Sequence, residues 1–194
     1  MLKKIIIAVV VIITIPLIAA LFMDKEYNVE ASIVVNKPKD QVFEYIKYLK
    51  NQNEWATWNQ IDPNMKQTYS GTDGTVGFIS AWESEHPDVG VGEQEITKIV
   101  EGSRVETELR FKVPFEATSP AYMTSEDAGN DQTSVRWGFD GVMPYPMNLL
   151  ISSMKGQLET DFANGLAGLK SAVEALPEPI EEMPMEMDSV MSTE

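Results

Sequence analysis

The sequence contains no cysteine and a single histidine, His86. Disulfides, thiol nucleophiles and cysteine metal sites are excluded, as is any site that needs two imidazoles. The missing cysteine fits either redox compartment and says nothing of location. Positive charge is also scarce. Fifteen Lys and Arg stand against 30 Asp and Glu, a formal net charge of −15. Nucleic-acid binding needs clustered cations to neutralise phosphates, so that function class falls away. Electrostatic docking of the folded part on anionic headgroups is disfavoured on the same ground, and the acidity serves solubility. No internal repeat is evident. What the chain does have is apolar content, 43% of 194 residues, enough for one ordinary domain with a sizeable core plus appendages.

The first appendage is an apolar run over 5–23, 19 residues without a charge. As a helix it is just long enough to span a hydrocarbon core of roughly 30 Å. Lys3 and Lys4 precede it, and Asp24 and Glu26 follow. The positive-inside rule then places the N-terminus in the cytoplasm and the domain outside, in the periplasm if the cell is Gram-negative. The rival reading is a cleaved signal peptide. Its nearest cleavage site, Ile18-Ala19-Ala20, carries Ile where a small residue is needed, which favours an uncleaved single-pass anchor.

Residues 27–35 alternate, with Val29, Ala31, Ile33 and Val35 on one face, and predict a half-buried strand. Pro38 opens a helix to about residue 49 on Val42, Ile46 and Leu49. Trp55 and Trp58 suit a second short helix within 53–59. Six further strands are predicted at 65–70, 76–84, 91–100, 104–113, 116–125 and 133–142. The Gly-, Asn- and Asp-rich spacers between them imply antiparallel hairpins. Val105, Thr107, Leu109, Phe111 and Val113 alternate with Glu106, Glu108, Arg110 and Lys112, so one face is dry and the other wet. Pro120 inside a strand argues for an edge position or a bulge. A helix of 31 residues, about 45 Å long, is predicted over 146–176 from the stripe Leu150, Met154, Leu158, Phe162, Leu166, Leu169, Val173 and Leu176. It should lie across the dry face, closely near Gly165 and Gly168, and stand off near Met154 to leave a cavity. Residues 177–194 carry three prolines and six acids without a periodic apolar face, and are expected to be disordered. The domain map is therefore 1–26 anchor or signal peptide, 27–176 folded domain, and 177–194 acidic Met-rich tail.

The stretch Ala31-Ser-Ile-Val-Val-Asn-Lys-Pro-Lys-Asp-Gln-Val-Phe-Glu-Tyr-Ile46 carries a family resemblance, with Trp55 and Trp58 after it. Thr68-Tyr-Ser-Gly71, Gly77, Trp82, Thr133-Ser-Val-Arg-Trp137 and Asp161-Phe-Ala-Asn-Gly-Leu-Ala-Gly-Leu-Lys170 extend it. Together they resemble the START-like helix-grip superfamily (SRPBCC), which includes polyketide cyclases/dehydrases and lipid-transfer proteins. The pattern is most similar to its membrane-anchored bacterial branch. The resemblance implies an α+β fold: a curved seven-stranded antiparallel sheet wrapped around a long C-terminal helix, with two short helices after the first strand. It also implies a cavity between sheet and helix for an apolar ligand. It implies no cofactor, and no catalytic residue is carried over, because the superfamily shares no single catalytic motif.

Several constellations have plain readings. His86, in a Pro/Gly turn beside Asp88, is an exposed turn residue. Gly71-Thr-Asp-Gly74 and Gly90-Val-Gly92 open no helix and are turns rather than phosphate cradles. Glu93/Glu95 and Glu106/Glu108 belong with Arg110 on a solvated face. The rings are more informative. Trp55, Trp58, Tyr69, Trp82, Tyr122 and Trp137, with Met154, either fill the core or line an amphipathic pocket with Ser80, Thr107 and Thr133. These seven are the nominated ligand-binding residues. Met183, Met185, Met187 and Met191 offer soft thioethers of the kind that suit Cu(I), although a plain acidic tail explains the same run. Three functions follow. The first is a membrane-tethered binding domain for a hydrophobic small molecule or lipid. The second is a cyclase- or dehydratase-like enzyme, for which Glu83, Asp140 and Tyr122 are the acid–base candidates. The third is an envelope interaction module without a ligand.

Overall fold

The computed structural model describes residues 1–177. Residues 178–194 of the predicted tail, with all its methionines, lie outside the described residues. Helix α1 (Leu2–Ala20) is apolar all round and has a mean hydropathy of 2.5. Among the described residues it is the one helix long and apolar enough to cross a membrane. It stands clear of the rest, and its only buried residue is Ala20.

Strand β1 (Glu26–Val35) follows, then α2 (Lys39–Ile46) and a 3-10 turn at Leu49–Asn51. The second predicted helix is two single turns, α3 (Gln52–Trp55) and α4 (Thr57–Ile61). The extended backbone of Ala56 (ψ 135°) separates them. The remaining strands are β2 (Lys66–Ser70), β3 (Ile79–Glu83), β4 (Val91–Val100), β5 (Arg104–Val113), β6 (Ala117–Gly129) and β7 (Gln132–Val142). They form one antiparallel sheet in the order β1-β7-β6-β5-β4-β3-β2. Strand β3 is shorter than the predicted 76–84, because Gly71, Gly74 and Gly77 hold the preceding turn at positive φ. Phe78 leaves that turn fully inward. Pro120 sits in a central strand without a register shift beside it, contrary to the expected edge or bulge. Pairing with β7 starts only at Ala121, so the missing N–H falls just outside that ladder.

Helix α5 (Ile151–Glu174) crosses the concave face. It has 24 residues rather than the predicted 31, since 147–150 form a 3-10 turn that buries Asn148. Its stripe Phe162, Leu166, Leu169 and Val173 meets Val29, Val35, Val105, Ile96 and Val135 of the sheet, with Val42, Phe43 and Ile46 of α2. At Gly165 an added Cβ would lie 2.9 Å from the Trp137 ring, and at Gly168 it would lie 3.0 Å from the Trp55 carbonyl oxygen. The glycines therefore permit the close approach, and one contact is to the sheet and the other to α3. On the convex face Arg110 pairs with Glu93 (2.7 Å), Glu95 (2.8 Å) and Glu108 (2.7 Å).

Candidate functional site: a ring-walled cavity under α5

Where α5 leaves the sheet, toward its N-terminal half, a cavity of about 200 Å³ remains. Strand alternation supplies its walls. Ser80 and Trp82 come from β3, Gln94 from β4, Leu109 and Phe111 from β5, Ala121 from β6, and Trp137 and Phe139 from β7. Leu158 and Phe162 of α5 close the top, and Trp58 of α4 closes one side. Asp88 lines the cavity yet keeps its side chain 77% exposed, which marks the mouth at the β3–β4 turn.

The rings hold one another. Trp137 stacks on Phe162 at 4.1 Å and 11°, and Trp55 and Trp58 meet Trp137 edge-on at 5.3 and 5.8 Å. Trp82 meets Phe111 edge-on at 6.1 Å. Its ring fits because Gly92 has no side chain: a Cβ there would come within 2.5 Å. Its indole N–H donates to the Val89 carbonyl (3.3 Å). The other wall is amide-rich. Asn59 Nδ2 and Gln67 Nε2 both donate to Asn53 Oδ1, at 2.8 and 2.9 Å. Asn53 Nδ2 donates to the Tyr69 hydroxyl (2.8 Å), which donates in turn to Gln67. Gln94 Nε2 donates to Thr107 Oγ1 (3.0 Å). Among the described residues no hydrogen bond engages Gln94 Oε1 or Ser80 Oγ. Both are left to face whatever fills the space.

Of the seven nominated residues, Trp58, Trp82 and Trp137 line the cavity. Trp55 is buried behind Trp137 against α5 and fills core. Tyr69 points to the concave side but stacks on Phe78 and braces the amides from behind. Tyr122 does not belong to the set. Its strand parity puts it on the convex face, where it donates to Glu30 (2.5 Å) beneath the Arg104 guanidinium. That hydrogen bond, then burial, raises its pKa. Met154 lies a turn short of the lining on α5, and Leu158 takes that place. Thr133 is likewise not in the wall; it is buried at the far end and donates to Lys37 O (2.7 Å). The acid–base candidates all fall outside. Glu83 is exposed and held below the ordinary carboxylate range by its hydrogen bond to Lys66, and Asp140 accepts from Asn28 on the convex side. Asp88 is the one ionisable group in the lining.

The amides were not anticipated from sequence. Asn53 and Asn59 sit on single-turn helices without periodicity, so nothing local assigns them a face. Phe111 and Phe139 were legible as dry-face residues by alternation, and only their place in the wall is new.

No family model matches the chain, and no curated protein matches it. Solved structures do. Truncated norcoclaurine synthase from Thalictrum flavum superposes with a TM-score of 0.59 at 10% identity, covering 78% of this chain and 96% of that one. A protein from Thermobifida fusca superposes with a TM-score of 0.58 at 15% identity, covering 78% and 95%. The Aha1 dimer from Colwellia psychrerythraea gives 0.54 at 16% identity, covering 77% and 97%. The chain has the helix-grip fold. At these identities the likeness extends to the grip itself, the long helix across a seven-stranded sheet, and not to the side chains that line it.

Proposed function

We propose that this chain is a membrane-tethered helix-grip domain that binds a compact, uncharged, largely apolar molecule between α5 and the sheet. The observation that carries the reading is the lining: six large rings, a wall of amides and, among the described residues, no Lys, Arg or His. A cavity of about 200 Å³ is only somewhat larger than one of about 150 Å³ that holds benzene, and below the range usual for drug-sized ligands. It suits a body of one to three rings or a short chain rather than a whole lipid. Ser80 Oγ and Gln94 Oε1 supply a donor and an acceptor for a hydroxyl, carbonyl or amide on that body. Helix α1 supports the tether, with its N-terminus in the cytoplasm and the domain outside, on the charge asymmetry around it.

The test uses two probes that share a ring system. N-phenyl-1-naphthylamine is neutral, and 1-anilinonaphthalene-8-sulfonate adds a negative charge. With no cation in the wall and Asp88 at the mouth, the neutral probe should bind saturably and at least ten-fold more tightly. Trp82→Ala should weaken it several-fold, and Arg110→Ala on the convex face should leave it unchanged. Equal affinity for the two probes, or equal loss in both variants, would refute the assignment.

A further inference from the structure

We infer that the end of the sheet nearest α1 rests on the bilayer, its apolar loop tips embedded in the hydrocarbon–headgroup boundary, so that the cavity mouth faces the membrane. The inference rests on the reading of α1 as a membrane span. Antiparallel pairing sends five segments to one end: the link 21–25, the turn 62–65, and the loops 84–90, 113–116 and 143–150. At this end Leu21, Phe22, Val113, Phe115, Val142, Tyr145, Met147 and Leu150 are all exposed, Phe22 by 86% and Phe115 by 70%. The loops of the opposite end expose one large apolar side chain among the described residues, Val76, with Val34, Tyr69 and Val100 near neighbouring strand ends. An exposed apolar patch of this kind marks a contact with a protein or a membrane, and the apolar helix α1 leaving the same end selects the membrane.

Geometry places that end at the boundary. The 19 residues of α1 measure about 29 Å, so a helix crossing a core of roughly 30 Å puts Ala20 at its far edge. Asn148 is fully buried and donates to the carbonyls of Ala20 (2.7 Å) and Met23 (3.2 Å), groups left without helical partners at the end of α1. The loop 143–150 is therefore fixed at the depth of Ala20, and the domain cannot swing away on a flexible stalk. Tyr145 is of the type enriched at such boundaries, and Phe22 and Phe115 supply apolar rings of the kind that interfacial segments bury at the headgroup–acyl boundary. The net charge of −15 removes headgroup attraction as the cause, so the contact is apolar and indifferent to salt. Asp88 and Val89, at the cavity mouth, belong to the loop 84–90 of this same end. A neutral ligand dissolved in the bilayer would then reach the cavity without crossing water.

The chain has no cysteine, so a single introduced one takes a fluorophore cleanly. The full chain is reconstituted in phosphatidylcholine vesicles with an environment-sensitive label at Phe115→Cys, at Thr72→Cys on the opposite end, or at Ile12→Cys within α1. All three side chains are exposed, so none of the changes threatens folding. The label at 12 should be shielded from iodide. The label at 115 should be quenched by iodide several-fold less than that at 72, and should be quenched by a nitroxide carried on the lipid chains, equally at low and high salt. A shielded 12 with equal quenching at 115 and 72 overturns the docking and leaves the tether standing. A wet label at 12 overturns the tether and the docking with it. The neutral-probe titration reads the cavity independently of both.

Discussion

Single residues decide how closely α5 grips the sheet. At Gly165 a Cβ would meet the Trp137 ring at 2.9 Å, and that ring is already stacked on Phe162. Overpacking costs about 1–3 kcal/mol and Ala returns up to about 1 kcal/mol of helix propensity, so Gly165→Ala should destabilise the fold by about 1–2 kcal/mol. Gly156, on the same helix, has nothing within 4 Å of an added Cβ. Gly156→Ala should stabilise by about 0.5–1 kcal/mol, and urea unfolding of the two variants should move in opposite directions. On the convex face Glu93 is held below the ordinary carboxylate range by hydrogen bonds from Lys112 and Arg110. A depressed folded pKa gives stabilisation that is complete above the unfolded value of about 4.3 and is lost as pH falls through the folded value. Glu93→Gln should thus cost about 0.5–1 kcal/mol near neutral pH, after allowance for solvent screening, and the gap to wild type should narrow on acidification below about pH 4. A constant gap across that window would show that the ion pairs do not contribute through charge.

At the scale of elements, alternation and helical spacing were strong guides where they were long. The strands β4 and β5 match their predicted spans of 91–100 and 104–113, and β7 differs by one residue. In β5 ten residues of period two leave one register that buries the apolar set, whereas β4 is bounded by its flanking turns and carries register shifts at Val91/Gly92 and Ile96/Lys98. Short elements were less legible. The α3–α4 break at Ala56 and the shortened β3 depend on tertiary contacts that no local pattern encodes. The start of α5 was misplaced for a related reason. Pro146, Leu150 and Met154 read as a helical opening, but burial of Asn148 against the end of α1 imposes a 3-10 turn there. A long-range hydrogen bond to residue 20 has no signature in the residues around 148. Asn148→Ala leaves the Ala20 and Met23 carbonyls without their side-chain donor and should lower stability by about 1–2 kcal/mol. Faster amide hydrogen exchange across 143–150, with the strands unaffected, would locate the loss at this junction. Unchanged exchange there would mean that the clasp does not hold the loop.

For the whole molecule, the dry concave face, the gripping helix and the side on which they part follow from apolar periodicity and two glycines. The chemistry of the cavity was half legible. Its rings come from strand faces that alternation identifies, whereas its amides are assembled from α3, α4, β2 and β4, which meet only in the folded chain. Tyr122 shows the limit of choosing by residue type: β6 gave no clear alternation from which to assign its face, and it turned outward. The central claim is that an uncharged apolar body occupies the space under Leu158 and Phe162. Methyl NMR of the full chain in lipid nanodiscs, titrated with N-phenyl-1-naphthylamine, tests it most directly. The account predicts saturable shifts and intermolecular NOEs at Met65, Val89, Leu109 and Leu158, with Val35, Val42 and Val173 at the tightly packed end unmoved. Shifts confined to Val113, Val142 and Leu150 on the outer rim, or none at the four lining residues, would contradict it.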